Sequence, residues 1–366
     1  MRVRRYSSFD CLPHGYRPLL DSASLESLFQ SEAWFRLLSQ VFAEEGRVLH
    51  LYGAENDGPA NTPITLMVMG CGQLRSFGLR RVESWTNYYS LRYAPIVSPH
   101  AGSAVYGEIF RVLCHDRWDA VRLDALDPES PMFDQVMRGF REAGMYATPF
   151  FNFGNRFEQV NGKGWEEYLS KRPSQLRNTL VRKERKLTRS GEWQFRLFQD
   201  DDLEKAIAEF GSVYAGSWKK PEPDAEFIPR LAKLCAAQRK LRLGIIYIAG
   251  EPAVAQFWIV EGDRATIYKL AHLSKFDAFS VGSILTMRLM RHVIEVDHVK
   301  EIDFGSGDDA YKKDWLSQRR ERWGIVAYNC RRLRGMLGAV GEWGRRALKP
   351  NRATSSVPQE ISSVIL

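Results

Sequence analysis

The feature that most constrains the fold is an ordered run of elements in the second half of the chain. Three apolar strands joined by short turns come first, then one amphipathic helix, then a further strand. The turn Ala249-Gly250-Glu251-Pro252 separates the first two strands, as in an antiparallel hairpin. This order indicates a mixed α/β fold built on a β-meander. The predicted elements are strands Leu243–Ile248, Ala253–Val260 and Ala265–Ala271, helix Val281–Val296 and strand Glu301–Phe304.

The first half of the chain contains the same kinds of element in a less regular pattern. Apolar residues at helical spacing predict one helix over Ser24–Phe42, and a second helix is expected from Pro131. Short β-rich runs bounded by turn residues predict strands at Val48–Tyr52, Ile64–Met69 and Val121–Leu126.

The two halves also resemble each other. Arg81–Phe110 aligns with Arg264–Met290: each has a basic start, an aromatic-rich strand, a Gly-Ser step and an apolar helix. We therefore predict tandem copies of one unit, at residues 1–153 and 155–329, each a twisted mixed sheet with helices on both faces. The first copy has Pro99-His100-Ala101 before its glycine, and we expect it to be degenerate.

Composition limits the partners and the location. The chain has 366 residues, 44% of them hydrophobic, but no apolar run of eighteen or more and no signal-peptide pattern, so we expect a cytoplasmic protein. The five cysteines are far apart and have no metal-ligand spacing, so no metal is expected. The formal charge of +8 favours anionic partners such as CoA phosphates, nucleic acid or an anionic membrane surface.

The stretch that carries chemistry follows the third strand of the meander. Ser280-Val281-Gly282-Ser283 precedes an apolar helix, where unpaired backbone N–H groups and the positive end of the helix dipole suit a pyrophosphate. Serine is also a common helix cap. A purely structural role for this turn therefore stays open.

Taken together, these residues resemble the GNAT-like acyltransferases of the CelD/BcsL group. The resemblance runs from about Trp165 to Tyr328, and one departure is that Val281 stands where the family's turn usually has proline. Valine loses the fixed φ of proline and gains a backbone donor, so phosphate binding can survive. The segments that carry the resemblance are Gly250-Glu251-Pro252 with Ala255-Gln256, Tyr268-Lys269-Leu270-Ala271, Ser280–Ser283 and Asp303–Trp315.

The resemblance implies where an acyl-CoA donor, such as acetyl-CoA, would bind. In GNAT proteins the donor lies between two splayed strands, with its pantetheine arm along the fourth strand and its pyrophosphate at the next turn. By that resemblance the fourth strand is lined here by Lys269, Leu270 and Ala271. The pyrophosphate would be held by Ser280, Val281, Gly282 and Ser283.

Acyl transfer also needs acid, base and acceptor-binding groups. Many GNAT enzymes place a tyrosine acid on the helix after the fifth strand, and Tyr311 occupies that place. Asp308 and Asp309 are candidate bases but could equally cap that helix, and His272 is a candidate base because histidine side chains commonly serve in proton transfer. The candidate acceptor-binding residues are Trp218, Gln256 and Lys312.

Two basic segments complete the pattern. A helix is predicted from Pro173 or Ser174 to Ser190-Gly191, either as a solvated face or as a phosphate-binding surface. A second helix over Arg331–Lys349 separates an apolar arc from a basic one, which would suit peripheral contact with the inner membrane. Its four glycines, each destabilising by about 1 kcal/mol relative to alanine, oppose helix formation. Residues 350–366 are expected to be disordered.

These features favour an acyl-CoA-dependent N- or O-acyltransferase acting on a small-molecule or sugar acceptor. The CelD/BcsL resemblance links it to cellulose or exopolysaccharide production, and a nucleic-acid substrate is not expected for this function. Two alternatives stay open: a FemX-like transferase that uses aminoacyl-tRNA, and a non-catalytic scaffold of an envelope-polymer complex.

Overall fold

The computed structural model describes residues 1–57, 61–72, 78–99, 101–200 and 202–347. The chain divides into two compact units. Unit 1 contains residues 1–153 and the described residues from 321 onward, and unit 2 contains residues 154–320. The predicted disorder of residues 350–366, the last two residues of the predicted tail helix and His100 lie outside the described residues.

The helix expected over Ser24–Phe42 is not a single helix. Ser27 and Ser31 interrupt it, and between them lies the short 3-10 turn Leu28–Gln30. The hydroxyl of Ser31 accepts a hydrogen bond from the backbone N–H of Trp34 at 3.1 Å, so the second segment has its own N-terminal cap. Helical spacing alone could not separate two helices whose apolar faces are both buried in the same core.

Unit 1 contains an antiparallel series of strands closed by a parallel pair. β1, β2, β3 and β4 pair in that order as antiparallel neighbours, and β4 then pairs with β6 in parallel. The elements up to the unit boundary are α1 (Arg17–Glu26), α2 (Glu32–Glu44), α3 (Ala104–His115) and α4 (Pro131–Glu142), with β1 (Arg2–Tyr6), β2 (Val48–Glu55), β3 (Pro63–Cys71), β4 (Arg81–Ser84), β5 (Ile96–Val97), β6 (Ala120–Leu126) and the start of β7 (Met145–Gln159).

Unit 2 has the same strand order. β8, β9, β10 and β11 pair as antiparallel neighbours, and β11 then pairs with β12 in parallel. Its elements are α5 (Trp165–Ser170), α6 (Ser174–Arg189), α7 (Leu203–Ala215), α8 (Phe227–Ala237), α9 (Val281–Glu295) and α10 (Ala310–Trp315), with β8 (Trp193–Phe198), β9 (Leu241–Ile248), β10 (Glu251–Glu261), β11 (Arg264–His272), β12 (Glu301–Ser306) and the start of β13 (Gln318–Asn329).

The parallel pairs of the two units correspond residue by residue. Each covers three positions and begins at the arginine that opens the aligned segment. In unit 1 the pairs are Arg81 with Ala120, Val82 with Val121 and Glu83 with Arg122. In unit 2 they are Arg264 with Glu301, Ala265 with Ile302 and Thr266 with Asp303.

The core of unit 2 explains why the strand pattern could be predicted. Val254 and Trp258 of β10 are fully buried in a cluster with Val281, Ile284 and Leu289 of α9. Helices α5 and α6 add to the same cluster, while α7 and α8 contact β9 and β10 from elements outside it. Helices therefore cover both faces of this sheet. Continuously apolar strands require this, because side chains alternate between the two faces of a sheet.

The last described element is α11 (Leu333–Ala347), which follows β13 in unit 1. It lies within the predicted tail helix. Among the described residues, no helix combines the length and apolarity needed to span a bilayer. The same residues contain no group of three or more His, Cys, Asp and Glu side chains placed to hold a metal ion.

Candidate active site

A wedge opens in unit 2 between β11 and β12. β11 is paired with β10 along its length, from Glu261–Arg264 to Val254–His272. Its pairing with β12 in the described residues ends at Thr266, although β11 continues to His272 and β12 to Ser306. The two parallel strands therefore diverge, and Lys269, Leu270 and Ala271 lie on the diverging part of β11.

Beyond β11 the chain makes a tight turn into a helix. A 3-10 segment, Ser274–Phe279, leads to Ser280, which adopts the left-handed conformation (φ 52°). The side chain of Ser280 does not cap α9, so the first-turn N–H groups of Val281, Gly282 and Ser283 are left for a ligand. A helix N-terminus of this kind attracts anions.

Gly282 leaves space in front of this helix end. A Cβ atom added to it would have Nδ1 of His272, 3.8 Å away, as its nearest neighbour. The residue lies in an ordinary helical conformation, since its φ is not in the left-handed region. The space beside the α9 N-terminus is thus open, and a phosphate group could approach the backbone there.

The basic helix α6 borders this same turn. The ammonium groups of Lys183 and Lys186 donate to the carbonyl oxygen of Ala278 at 2.8 and 3.4 Å, two residues before Ser280. Lys186 also lies over the ring of Phe279, 5.4 Å from its centroid. Two lysines of the predicted basic helix therefore place positive charge beside the turn, while Arg182 and Arg185 on the same helix are exposed.

His272 lies between the turn and a loop from elsewhere in the unit. Its Nε2 atom is 2.9 Å from Oδ1 of the exposed Asp277. Its ring contacts that of Trp218, with centroids 4.3 Å apart. Trp218 is 49% exposed, so an exposed aromatic face remains beside His272. The structure thus brings together two residues that the sequence analysis named separately.

The residues after β12 form a second cluster. Asp308 accepts hydrogen bonds from Arg156 at 2.6 Å and Arg319 at 3.0 Å. Burial alone would raise the pKa of Asp308, but these two guanidinium groups outweigh it and lower the pKa. Asp308 is therefore held as a carboxylate in an ion-pair network, which makes it a weak proton acceptor.

Asp309 and Lys312 form an ion pair at the start of α10. Asp309 lies at the N-cap position, yet its side chain caps nothing, and its Oδ2 is 3.3 Å from Nζ of Lys312. Lys312 is 3% exposed, and its ammonium donates to the carbonyl oxygens of Ser306 at 2.6 Å and Gly307 at 3.3 Å. Lys312 therefore anchors the end of β12, in addition to any contact with an acceptor.

Tyr311 keeps part of its surface in solvent, with 43% exposed. Burial of the remainder and the negative charge of Asp309 raise the pKa of Tyr311 above its usual value. The phenol is therefore protonated at neutral pH, as an acid must be.

Gln256 has its hydrogen bonds satisfied within the chain. It is 1% exposed, and its amide nitrogen donates to the carbonyl oxygen of Gly282 at 3.1 Å and the hydroxyl of Thr286 at 2.8 Å. Its amide oxygen accepts from Trp258 at 2.9 Å. Gln256 thus fastens β10 to the first turn of α9, and a substrate could bind it only by displacing one of these bonds.

Lys219, which the sequence pattern did not indicate, is buried in the same site as Lys269 and Lys312. Lys219 is 7% exposed and Lys269 is 6% exposed, and Nζ of Lys269 is 2.5 Å from Oε1 of Glu222. Burial and then the positive charge of Lys269, with a further contribution from Lys312, lower the pKa of Lys219 to about 7. Nothing in the sequence distinguishes Lys219 from Lys220 beside it, because the loop between α7 and α8 has no periodicity.

Trp218 and Lys219 connect the two clusters. Trp218 contacts His272 beside the turn that follows β11, and the next residue, Lys219, lies within electrostatic range of Asp309 and Lys312 at the start of α10. The loop that carries them therefore lies beside both the turn after β11 and the residues after β12.

A buried polar network holds β12 in place. Asn155 donates to Asp303 and to the carbonyl oxygen of Gly305, both at 2.6 Å, and accepts from Arg320 at 2.6 Å. Arg320 also pairs with Glu301 at 2.9 Å. These bonds fix the strand from which Asp308, Asp309 and Tyr311 follow.

The comparisons with known proteins agree with this geometry. Residues 174–313 match the family model described as an acetyltransferase (GNAT) domain. This segment therefore resembles a GNAT acetyltransferase domain. It runs from α6 into α10 and includes the wedge, the turn Ser280–Ser283 and Tyr311. The match supports a transferase, and the predicted GNAT-like α/β fold is confirmed.

Solved structures share the fold at low sequence identity. The crystal structure of FemX matches with a TM-score of 0.59 and 11% identity, over 90% of this chain and 97% of that one. L-PGS from Bacillus licheniformis matches with a TM-score of 0.54 and 13% identity, over 92% of this chain and 98% of that one. A search of the curated proteins finds no match.

Proposed function

We propose that the GNAT domain of unit 2 transfers an acyl group from an acyl-CoA, such as acetyl-CoA, to an amine or hydroxyl of a small acceptor. The observation that carries this proposal is the divergence of β11 and β12 immediately before a helix N-terminus with open space at Gly282. The pantetheine arm would run along Lys269, Leu270 and Ala271. The pyrophosphate would take the N–H groups of residues 281–283.

Charge at the turn supports a phosphate-bearing donor. Lys183 and Lys186 reach the carbonyl oxygen of Ala278, which leaves each ammonium with further donor capacity. Together with the dipole of α9 they supply positive charge on two sides of the turn. His272, beside Gly282, would add a hydrogen bond to the donor or take part in proton transfer.

The leaving thiolate needs a proton, and Tyr311 is our candidate donor. When the acceptor attacks the thioester carbonyl carbon, a tetrahedral oxyanion forms, and its collapse breaks the C–S bond. The phenol of Tyr311 would protonate the sulfur to release free CoA. Its raised pKa keeps the proton available until the thiolate appears.

The acceptor must lose a proton, and Lys219 is our candidate base. A neutral amine is a proton acceptor, and burial together with the positive charge of Lys269 lowers the pKa of Lys219 to about 7. Asp308 is disfavoured because two arginines lower its pKa. Lys219 also lies beside Trp218, whose exposed ring offers a surface on which a sugar or another small acceptor could stack.

The acceptor class is a proposal that rests on the CelD/BcsL resemblance. An amine or hydroxyl of a sugar, or of a sugar precursor used in exopolysaccharide or cellulose production, fits an aromatic platform beside a base. Such a reaction would take place in the cytoplasm, where acyl-CoA is available.

The second candidate is a donor delivered as aminoacyl-tRNA. It is favoured by the exposed arginines on α6, Arg177, Arg182, Arg185 and Arg189, which could contact phosphates. The fold shared with FemX is compatible with either donor.

One pair of measurements separates the candidates. Calorimetry with acetyl-CoA and longer acyl-CoAs should give saturable binding, and release of free CoA thiol should accelerate with a sugar-amine acceptor. Binding of aminoacyl-tRNA at physiological salt without acyl-CoA binding would reverse the order of the two candidates.

A further inference from the structure

Helix α11 packs against unit 1 through its smallest residues. Gly335, Ala339 and Glu342 are its buried positions. A Cβ atom at Gly335 would collide with the carbonyl oxygens of Asn329 and Asp119. One at Gly338 would lie 2.7 Å from the ring of Tyr328. These glycines let the helix approach backbone and ring closely, as small residues do at tight helix contacts.

Polar contacts fix the helix in this orientation. Arg332, just before α11, pairs with the buried carboxylate of Asp119 at 2.6 Å. Near the other end, Arg346 donates to the carbonyl oxygen of Pro149. Glu342 accepts from Arg345 at 2.7 Å and Arg346 at 2.9 Å. Both ends of α11 are therefore tied to unit 1.

The opposite arc of α11 consists of large apolar side chains in solvent. Because residues three and four apart share a helix face, the spacing of these five places them on one continuous stripe. An exposed stripe of this kind marks an interaction surface more often than a chance exposure. Its members are Leu333 (69% exposed), Met336 (46%), Leu337 (61%), Val340 (60%) and Trp343 (64%).

The exposed charged side chains of α11 and of the turn before it are all positive. Arg331, Arg334 and Arg345 are exposed; Arg334 donates to the carbonyl oxygen of Gly78 at 2.9 Å, and Arg345 pairs with Glu342. Within residues 331–347, Glu342 is the one acidic residue, and it is buried and paired with arginines. The outward side of α11 therefore combines an apolar stripe, a tryptophan and a positive rim, which is the composition of helices that lie in the interface of an anionic bilayer.

We propose that α11 docks the protein on an anionic lipid surface, with its apolar stripe inserted at the boundary between headgroups and acyl chains. Leu333, Leu337 and Val340 enter the apolar layer, and Trp343 lies at headgroup level, where its amphipathic ring is favoured. Arg331, Arg334 and Arg345 contact lipid phosphates. The helix is held on the protein beforehand, so docking requires no coil-to-helix transition.

The exposed arginines beside the apolar stripe favour an anionic lipid surface over a second copy of the chain. Two copies facing each other through this stripe would bring their own arginines together, which is unfavourable. An anionic headgroup layer neutralises the same charges. The lipid proposal therefore accounts for both the apolar stripe and its rim.

The test uses the full-length protein and sedimentation with vesicles. We expect binding to phosphatidylcholine vesicles that contain phosphatidylglycerol, much weaker binding to pure phosphatidylcholine, and release by added salt. The double variant Leu337→Glu/Val340→Glu should bind the anionic vesicles at least about tenfold more weakly. Leu25→Glu is the matched control, because Leu25 is 86% exposed on α1 of the same unit, and it should bind as the wild type does.

Tryptophan fluorescence measures how deeply Trp343 enters the bilayer. Brominated lipids quench tryptophan at the interface, so vesicle-bound wild type should lose fluorescence that Trp343→Phe does not lose. The proposal is overturned if the wild-type protein does not bind anionic vesicles, or if the double variant and the wild type bind them equally. A wild-type dimer in solution that the double variant converts to monomer would assign the stripe to a second copy instead. Circular dichroism confirms that each variant is folded.

Discussion

The sharpest test of the donor site is Gly282→Glu. Gly282 is the second residue of α9, and a Cβ there meets no atom closer than 3.8 Å, so the unliganded fold can accept the side chain. Replacing glycine in a helix gains up to about 1 kcal/mol. A carboxylate in the first turn adds about 0.3–1 kcal/mol through the helix dipole. The free protein should therefore melt at the same temperature or a few degrees higher.

Donor binding should change in the opposite direction. The new carboxylate would occupy the space next to the proposed pyrophosphate. Two like charges about 4 Å apart at an effective dielectric of about 20 repel by about 4 kcal/mol, and partial exposure reduces this. We expect the Kd for CoA to rise at least about tenfold, which is about 1.4 kcal/mol.

Calorimetry with CoA and a melting curve on the same samples measure both effects. Gly282→Gln has nearly the same shape without the charge, and Gly282→Ala adds only the Cβ, so the series separates repulsion from lost backbone access. An unchanged Kd in folded Gly282→Glu would refute the assignment of this turn to the pyrophosphate. An equal loss in Gly282→Ala would instead show that close backbone approach matters more than charge.

Three further predictions concern other parts of the chain. Tyr311→Phe should lower kcat by about ten- to a thousandfold with little change in donor Kd, and near wild-type turnover with chemistry rate-limiting would make Tyr311 a packing residue. The kcat should rise as pH increases through about 7, where Lys219 becomes neutral; Lys219→Met should lose this dependence and the exposed Lys220→Met should keep it. In the unfolded chain Lys219 stays protonated up to its ordinary pKa of about 10.4. The free energy of unfolding of the wild type should therefore increase as the pH rises from about 7 towards that value. Urea titrations of Lys219→Met should lack this increase. Gly335→Ala should destabilise the protein by about 1–3 kcal/mol because the added Cβ would collide with backbone atoms. Gly341→Ala, where the added Cβ would meet no atom, should be neutral or stabilising by up to about 1 kcal/mol. Equal melting temperatures of the two variants would contradict the described packing of α11.

The elements from β9 to β12 in unit 2 that were predicted could be placed closely because each has a buried face with a regular period. The predicted strand Ala265–Ala271 corresponds to β11, and the predicted helix Val281–Val296 differs from α9 by one residue at its end. The helix over Ser24–Phe42 was wrong because Ser27 and Ser31 each begin a new segment, and a serine that caps a helix cannot be told from any other serine in a sequence.

The functional residues of the site could be predicted only where they are consecutive in the chain. The turn Ser280–Ser283 is local, since a few consecutive residues determine it. The buried lysines are not local, because Lys219, Lys269 and Lys312 belong to a loop, a strand and a helix that approach one another only after folding. Burial lowers the pKa of all three lysines, and the charges of Lys269 and Lys312 lower the pKa of Lys219 further. No property of the separate segments contains that information.

The tail illustrates a different limit. A sequence identifies the apolar arc of a helix and would normally assign that arc to the protein core. In α11 the assignment is reversed, because the glycine-containing face allows a backbone contact that no larger residue could make. Gly335 and Gly338, which on propensity alone argue against a helix, are what hold this one against unit 1. The apolar side chains are thereby directed outward, so the sequence could indicate a membrane-binding pattern without indicating which side of the helix is free to bind.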